Sequence, residues 1–320
     1  MEHTTEKVFP SLEDRGERLD VFLSRSLGSV SREKIKSIIK EGNAAINGAV
    51  VGKPDYKIKG NESIEVHIPV AVPSPVPPPE PINIPIMYED DYIIIIDKPP
   101  GVSTHPTSTA LHRTVVNALL YMDKQLSNMG DPLRRGIVHR LDKQTEGILI
   151  IAKSNDAHMK LLSMFKYRTV HKAYIAVVYN VMVQDSGTIN GLIGRHPVDR
   201  KRMTTKTAKG KEAVTYFRAV KRLDNGTVVL LSPKTGRTHQ LRAQLSDMGY
   251  PIINDDLYSR KRRVPMQPRL RAMLSAVDGI ALFAYAVSFL HPIYGVPVTF
   301  SAPFPAWLKA VLSEHELYQR

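Results

Sequence analysis

The 320-residue chain contains no cysteine, which excludes disulfides, thiolate nucleophiles and thiolate metal sites and fits a reducing compartment. It also lacks any apolar run near the roughly 20 residues that a membrane-spanning helix needs. The longest such stretch, 279–290, is too short. The opening segment is charged and broken by Pro10 and Gly16, leaving no apolar core for a secretory signal. A cytoplasmic protein without membrane contact is expected. Neither a Gly-x-x-x-x-Gly-Lys loop nor a Gly-x-Gly-x-x-Gly fingerprint occurs, so a nucleotide cofactor has no cradle. Histidines are scattered, with no His-Glu-x-x-His pattern and no paired carboxylates at ligand spacing; no metal and no cofactor are expected.

What the chain has in excess is positive charge, a net +13. Residues 1–70 carry eleven basic and eleven acidic side chains, so the surplus lies beyond them. Ten Lys/Arg fall between Arg195 and Arg222 against Asp199 and Glu212, and nine between Lys234 and Arg271 against Asp247, Asp255 and Asp256. Two such runs suggest a polyanion track, because each phosphate met by Lys or Arg releases condensed counterions.

Residues 1–70 read as a small α/β module. Leu19, Phe22, Leu23 and Leu27 share one helical face. Ser31 can cap a second helix that Gly42 ends, with Arg32, Lys36 and Lys40 as its basic face. Strands are expected at 44–46, 55–59 and 63–68, the first followed by an Asn47-Gly48 turn. Eight prolines lie between Pro69 and Pro85, a density that favours extended polyproline II, so 71–85 is expected to be a semi-rigid linker. The second domain, 86–320, opens on four consecutive isoleucines, Ile93 to Ile96, a strand covered on both faces and stopped by Pro99-Pro100-Gly101. A helix is expected at 115–122, strands at 173–179, 213–220 and 227–231, a helix at 238–248 and a buried stretch at 280–290. Strands outnumber helices, which implies an α+β class: a mixed, mostly antiparallel sheet flanked by helices.

Within this domain, Gly136-Ile137-Val138-His139-Arg140-Leu141-Asp142-Lys143-Gln144-Thr145-Glu146-Gly147 runs directly into the β-branched segment Ile148 to Ala152. Polar groups are thereby pinned to rigid core. The string resembles the catalytic motif of the pseudouridine synthases of the RluA/RluD type, isomerases that act on uridines in ribosomal or transfer RNA. Further matches are Lys98 to Val102, Lys172-Ala173-Tyr174-x-Ala176, Lys234 to Arg242, and Leu290-His291-Pro292. Residues 1–70 resemble the αL-motif RNA-binding module first named for a small-subunit ribosomal protein, through Arg18-Leu19-Asp20, Ser31-Arg32, Ile39 to Gly42 and Ile46-Asn47-Gly48. Two departures from the pattern are Glu146, where the family commonly has serine, and Asn254, where it has glycine.

The resemblance implies that Asp142 is the essential aspartate, acting at the ribose either on C1′ or on a ribose proton. It implies that Arg237 pairs with Asp142, that Tyr174 stacks on the target uracil, and that Arg140 enters the space vacated when the base flips out. His139 is expected to shape this RNA-facing loop and Arg242 to meet phosphate at the surface. Arg32, Lys36 and Lys40 would contact RNA from the module. Lys143 after the aspartate points to the large-subunit ribosomal RNA branch, with transfer RNA as the other substrate class. The expected partner is that RNA or a pre-ribosomal particle, bound by a monomer. The alternative reading is a non-catalytic RNA-binding or ribosome-assembly factor.

Overall fold

The computed structural model describes residues 3–28, 30–69, 76–107, 109–259 and 267–318, and the chain divides into two compact units, Met1–Pro73 and Ser74–Arg320. In the first, β1 (His3–Val8), α1 (Leu19–Leu27), α2 (Arg32–Lys40), β2 (Ala44–Ile46), β3 (Ala49–Val50) and β4 (Ile64–Pro69) form a two-helix layer on an antiparallel sheet of order β1-β4-β2-β3. Leu19, Phe22 and Leu23 of α1 and Ile35, Ile38 and Ile39 of α2 fill one core with Ile64 and Val66. Ser31 caps α2 by accepting from the Lys34 amide (3.4 Å). The strand expected at 55–59 is only a bridge between Arg18 and Lys57, and the sheet takes β1 instead, a polar and exposed edge strand without an apolar rhythm.

The second unit is built on a ten-stranded sheet. Its strands are β5 (Ile86–Glu89), β6 (Ile93–Lys98), β7 (Glu146–Ala152), β8 (His171–Tyr179), β9 (Ser186–Arg195), β10 (Met203–Thr204), β11 (Lys211–Leu223), β12 (Gly226–Pro233), β13 (Leu282–Leu290) and β14 (Pro297–Ser301). They run in the order β10-β9-β11-β12-β8-β13-β7-β6-β5, with β14 alongside β13. Every pairing is antiparallel except β13 with β7, so the sheet is mixed and mostly antiparallel, as the α+β reading requires. Ile93 to Ile96 are fully buried, and so are Leu149 to Ile151 beside them, because both faces of the sheet are covered here. At the parallel crossing Gly147 has φ +111°, and a Cβ there would collide with the Ala284 backbone.

The helices α3 (Val115–Tyr121), α4 (Asn155–Tyr167) and α5 (Gln240–Asp247) flank the sheet. The sequence reading did not anticipate α4; it starts on Ser154, whose side chain accepts from the Ala157 amide (3.2 Å), and ends on Arg168 in the left-handed conformation. The linker expectation requires correction over 76–85. Ile84 is buried in the core with Ile94 and Ile96, the Pro78 carbonyl accepts from Asn117 Nδ2 (2.6 Å), and Glu80 accepts from the Arg113 amide (3.0 Å). Apart from the Ile82 amide donating to the Glu80 carbonyl (2.8 Å), this proline-rich strap turns its carbonyls and apolar side chains to its neighbours. Residue 70, residues 71–75 of the expected linker and 260–266 of the second basic run lie outside the described residues. Among the described residues no helix is long and apolar enough to cross a membrane.

Candidate active site

The segment 136–145 runs back beside β7, tied to it by a bridge between Ile137 and Ile151 and by the Ala152 amide donating to the Gly136 carbonyl (2.8 Å). Val138 and Leu141 point into the core, leaving Arg140 exposed and Asp142 partly exposed between these anchors. The backbone is then locked from the other side. The Thr104 hydroxyl donates to the Leu141 carbonyl (3.0 Å) and receives the Leu141 amide (3.2 Å). Lys98, fully buried at the end of β6, donates to the carbonyls of Pro99 (2.8 Å), Val102 (2.9 Å) and Lys143 (3.3 Å). Burial lowers the Lys98 pKa to about 8, against the pull of the Asp142, Glu146 and Asp97 carboxylates. The Lys-Pro-Pro-Gly-Val segment is therefore the brace of the aspartate loop, a role that sequence alone did not reveal.

Asp142 meets an arginine, but not the expected one. Arg242 Nη1 donates to Asp142 Oδ2 at 2.9 Å, while Arg242 Nε and Nη2 grip Asp255 at 2.7 and 2.9 Å. Arg237 instead donates through Nε to the Glu212 carbonyl (3.0 Å). Two corrections follow: the partner of Asp142 is Arg242 rather than Arg237, and Arg242 is a buried residue rather than a surface phosphate ligand. The reason is helical geometry. Arg242 belongs to the first turn of α5 and faces the core, whereas Arg237 lies in the preceding loop. A planar fork suits this task, since its five donors can serve two carboxylates at once. The trio of Asp142, Arg242 and Asp255 keeps one net negative charge. Arg242 and, at 3.9 Å, the His239 ring both address Oδ2; among the described residues, no group donates a hydrogen bond to Oδ1.

Tyr258 supports this trio. Its buried ring lies 5.1 Å from the Arg242 guanidinium, and its hydroxyl is 3.1 Å from His239 Nδ1. His239 itself sits at φ +53° as the residue before α5, and burial lowers its pKa while Asp142 opposes the shift. Asn254, the second departure from the family pattern, adopts φ +63°, a left-handed turn that asparagine tolerates almost as glycine does. The departure leaves the turn before Asp255 in place. The other departure, Glu146, accepts a hydrogen bond from Trp307 Nε1, and burial raises its pKa.

Asp142, His239 and Arg242 line one wall of a cavity of about 490 Å³. Tyr174, from β8, lines it too, and burial followed by the negative charge of Asp142 pushes its phenol well above the usual range. Arg140 reaches the cavity from the exposed side of the loop, and Lys166, Arg168, Lys172, Lys234 and Arg237 add positive charge to its lining. His139 also lines it, but its Nε2 accepts the Ile150 amide (2.9 Å) and its ring stacks on Phe165 with centroids 4.7 Å apart. Burial holds its pKa near 3, so it is a neutral strut of the loop. In the first unit, Arg32 shares the buried Asp20 with Arg18 (2.9 and 2.8 Å), and Lys36 meets Glu33 (2.8 Å). Burial raises the Asp20 pKa, yet the two arginines bring it below the usual carboxylate range. Arg32 thus ties α2 to α1, while Lys40 stays exposed.

With the geometry in view, residues 92–247 match the family model described as RNA pseudouridylate synthase, and residues 17–64 match the S4 domain. An uncharacterized RNA pseudouridine synthase of Aquifex aeolicus is 40% identical over 305 residues, covering 94% of this chain and 95% of that protein. Ribosomal large subunit pseudouridine synthase D of Xanthomonas campestris is 35% identical over 300 residues, covering 93% of this chain and 88% of its own. Among solved structures, human RNA pseudouridylate synthase domain containing 1 superposes with a TM-score of 0.55 at 23% identity, over 75% of this chain and 95% of that one, a likeness of fold.

Proposed function

Because the chain belongs to the RNA pseudouridylate synthase family, carries an S4 domain and is an RNA pseudouridine synthase, an isomerase, we propose that it acts on uridines of large-subunit ribosomal RNA by flipping the target base into the cavity beside Asp142. The observation that carries this reading is a carboxylate with one oxygen aimed by an arginine, the other without a hydrogen bond from any described residue, in a cation-lined cavity of nucleoside size. The substrate class rests on likeness to the ribosomal large subunit enzymes, which cover nearly the whole chain.

In the proposed sequence the uridine leaves its stack, Arg140 fills the space, and the base rests on Tyr174. Asp142 Oδ1 acts at the ribose, by attack on C1′ or by taking a ribose proton; the N1–C1′ bond breaks, uracil turns, and C5 joins C1′ as the Asp142–C1′ bond breaks or the ribose proton returns. C5 then loses its proton and N1 takes one up, which leaves the carboxylate free. Nothing is added to the substrate and nothing is oxidised. The raised pKa of Tyr174 keeps its phenol protonated near neutrality, which suits a stacking surface and a proton donor better than a resting base.

The test is to map pseudouridines in ribosomal and transfer RNA from cells lacking the protein, supplied with either the wild type or Asp142→Asn. Large-subunit sites should disappear, return with the wild type and stay absent with the variant, whose amide keeps the shape but neither attacks nor takes a proton. Loss confined to transfer RNA would overturn the substrate. Restoration by Asp142→Asn would overturn the role of Asp142.

A further inference from the structure

The cavity beside Asp142 adjoins a second one of about 280 Å³, and Arg168, Val170, Lys172, Pro233 and Lys234 line both. The farther walls include Tyr216 from β11, a residue 45% exposed, and the hydroxyl pair of Ser288 and Thr299 (2.9 Å). The volume is just below the roughly 300 Å³ at which small-molecule sites begin, room for a single nucleobase rather than a second full nucleoside.

The cations at the junction differ in how they are engaged. Arg168 donates to Glu212 (3.0 Å), and the Lys234 ammonium lies over the Tyr216 ring, 5.7 Å from its centroid. The Lys172 ammonium makes no hydrogen bond or ion pair with any described residue, although the residue is partly buried. A sequestered ammonium without a counter-ion is costly until an anion reaches it. Lys172 stands two residues before Tyr174 on β8, so both side chains face the same side of the strand and both line the first cavity. A base resting on Tyr174 would therefore bring its own strand past Lys172 on the way to the second cavity.

We propose that Lys172, with Lys234 beside it, binds the phosphodiester linking the target uridine to its neighbour, and that the second cavity receives the neighbour's base against Tyr216. This rests on the reading of the first cavity as the uridine site, and it makes the second cavity a determinant of sequence preference. Aromatic faces accept any base by stacking, while the Ser288 and Thr299 hydroxyls supply edge contacts that discriminate.

The test uses the full chain and short RNAs with one uridine, in which each flanking phosphodiester in turn is replaced by an uncharged methylphosphonate. For the wild type, one of the two replacements should weaken binding about tenfold, the size of a lost charge-assisted contact. Lys172→Met should lose the same factor on native RNA and become indifferent to that replacement, while Lys172→Arg, which keeps the charge and serves as the folding control, should remain sensitive. An undiminished methylphosphonate penalty in Lys172→Met, or no penalty at either linkage in the wild type, would overturn the phosphate site. Tyr216→Ala should flatten the preference for the base next to the uridine; an unchanged preference would overturn the base site. Pseudouridine formation in large-subunit RNA by the wild type is scored in parallel. Its failure with the methylphosphonate pattern intact would sink the ribosomal assignment and leave the subsite standing.

Discussion

Arg242 is the most informative residue to perturb, because one guanidinium holds two carboxylates. Its three hydrogen bonds of 2.7 to 2.9 Å reach Asp142 and Asp255, whose side chains are 16% and 1% exposed. Arg242→Met keeps much of the length and apolar packing against Tyr258 but leaves Asp255 charged, buried and unpaired. Removing one partner of a buried pair costs about 3–5 kcal/mol. For a unit of this size each kcal/mol lowers Tm by about 2–4 °C, so a fall of about 6–20 °C is expected. Arg242→Lys retains the charge but only one point of contact, and should fall between. Asp255→Asn removes the carboxylate that Arg242 holds most tightly, so Arg242→Met combined with Asp255→Asn should cost clearly less than the two single changes added together. Turnover should follow a different order: both Arg242 variants lose the aim of Asp142, so single-turnover pseudouridine formation should drop at least about a hundredfold at temperatures where the variants remain folded. The measurements are thermal unfolding by circular dichroism and single-turnover kinetics on one RNA transcript. An Arg242→Met protein with Tm within 2 °C of the wild type, or additive losses with Asp255→Asn, would refute the bridging role.

Three further outcomes follow from the geometry. Arg140→Ala should slow turnover on a structured RNA far more than on an unstacked one, because in the proposed sequence reaching the flipped state costs a few kcal/mol that Arg140 would help to offset; equal losses would point to a direct role at the sugar. His139 and His105 stay neutral in the fold down to about pH 3 and about pH 4, while unfolded histidine titrates near pH 6.5, so the unfolded chain takes up more protons and stability falls as pH drops below about 6.5. His139→Gln, whose amide oxygen can still receive the Ile150 amide, should spare about 2 kcal/mol of the loss between pH 7 and pH 5 in urea titrations; an identical loss would show that His139 is not the group responsible. Removing Met1–Pro73 should relax site choice and weaken binding to native RNA while keeping most of the dependence of log affinity on log salt, since that segment is charge-balanced to residue 70; a collapsed slope would transfer the phosphate contacts to the S4 module.

The separation between what was legible in the chain and what was not follows the range of the interactions. Local rules located α1, α2 and its Ser31 cap, the isoleucine strand β6, and the parts of β8, β11, β12 and β13 that are rich in apolar residues, because periodicity and capping act within a few residues. They failed where a segment has no rhythm of its own: the polar edge strand β1, the largely exposed β9, and the prolines of 76–85, which gain their order from Asn117 and from the core around Ile84. The motif string made Asp142, Arg140 and Tyr174 candidates before any coordinates. Which arginine meets Asp142 was beyond its reach, since Arg237 and Arg242 lie five positions apart in one motif and only the start of α5 at Gln240 turns the second of them inward. The same holds for Asp255, Tyr258 and Lys98, which meet Arg242, His239 and the Lys143 carbonyl 13, 19 and 45 residues away along the chain. The sequence makes Asp142 a candidate, because a motif is a property of one residue and its neighbours; the direction in which that carboxylate is held depends on a guanidinium 100 residues away, and only the closed sheet brings the two together.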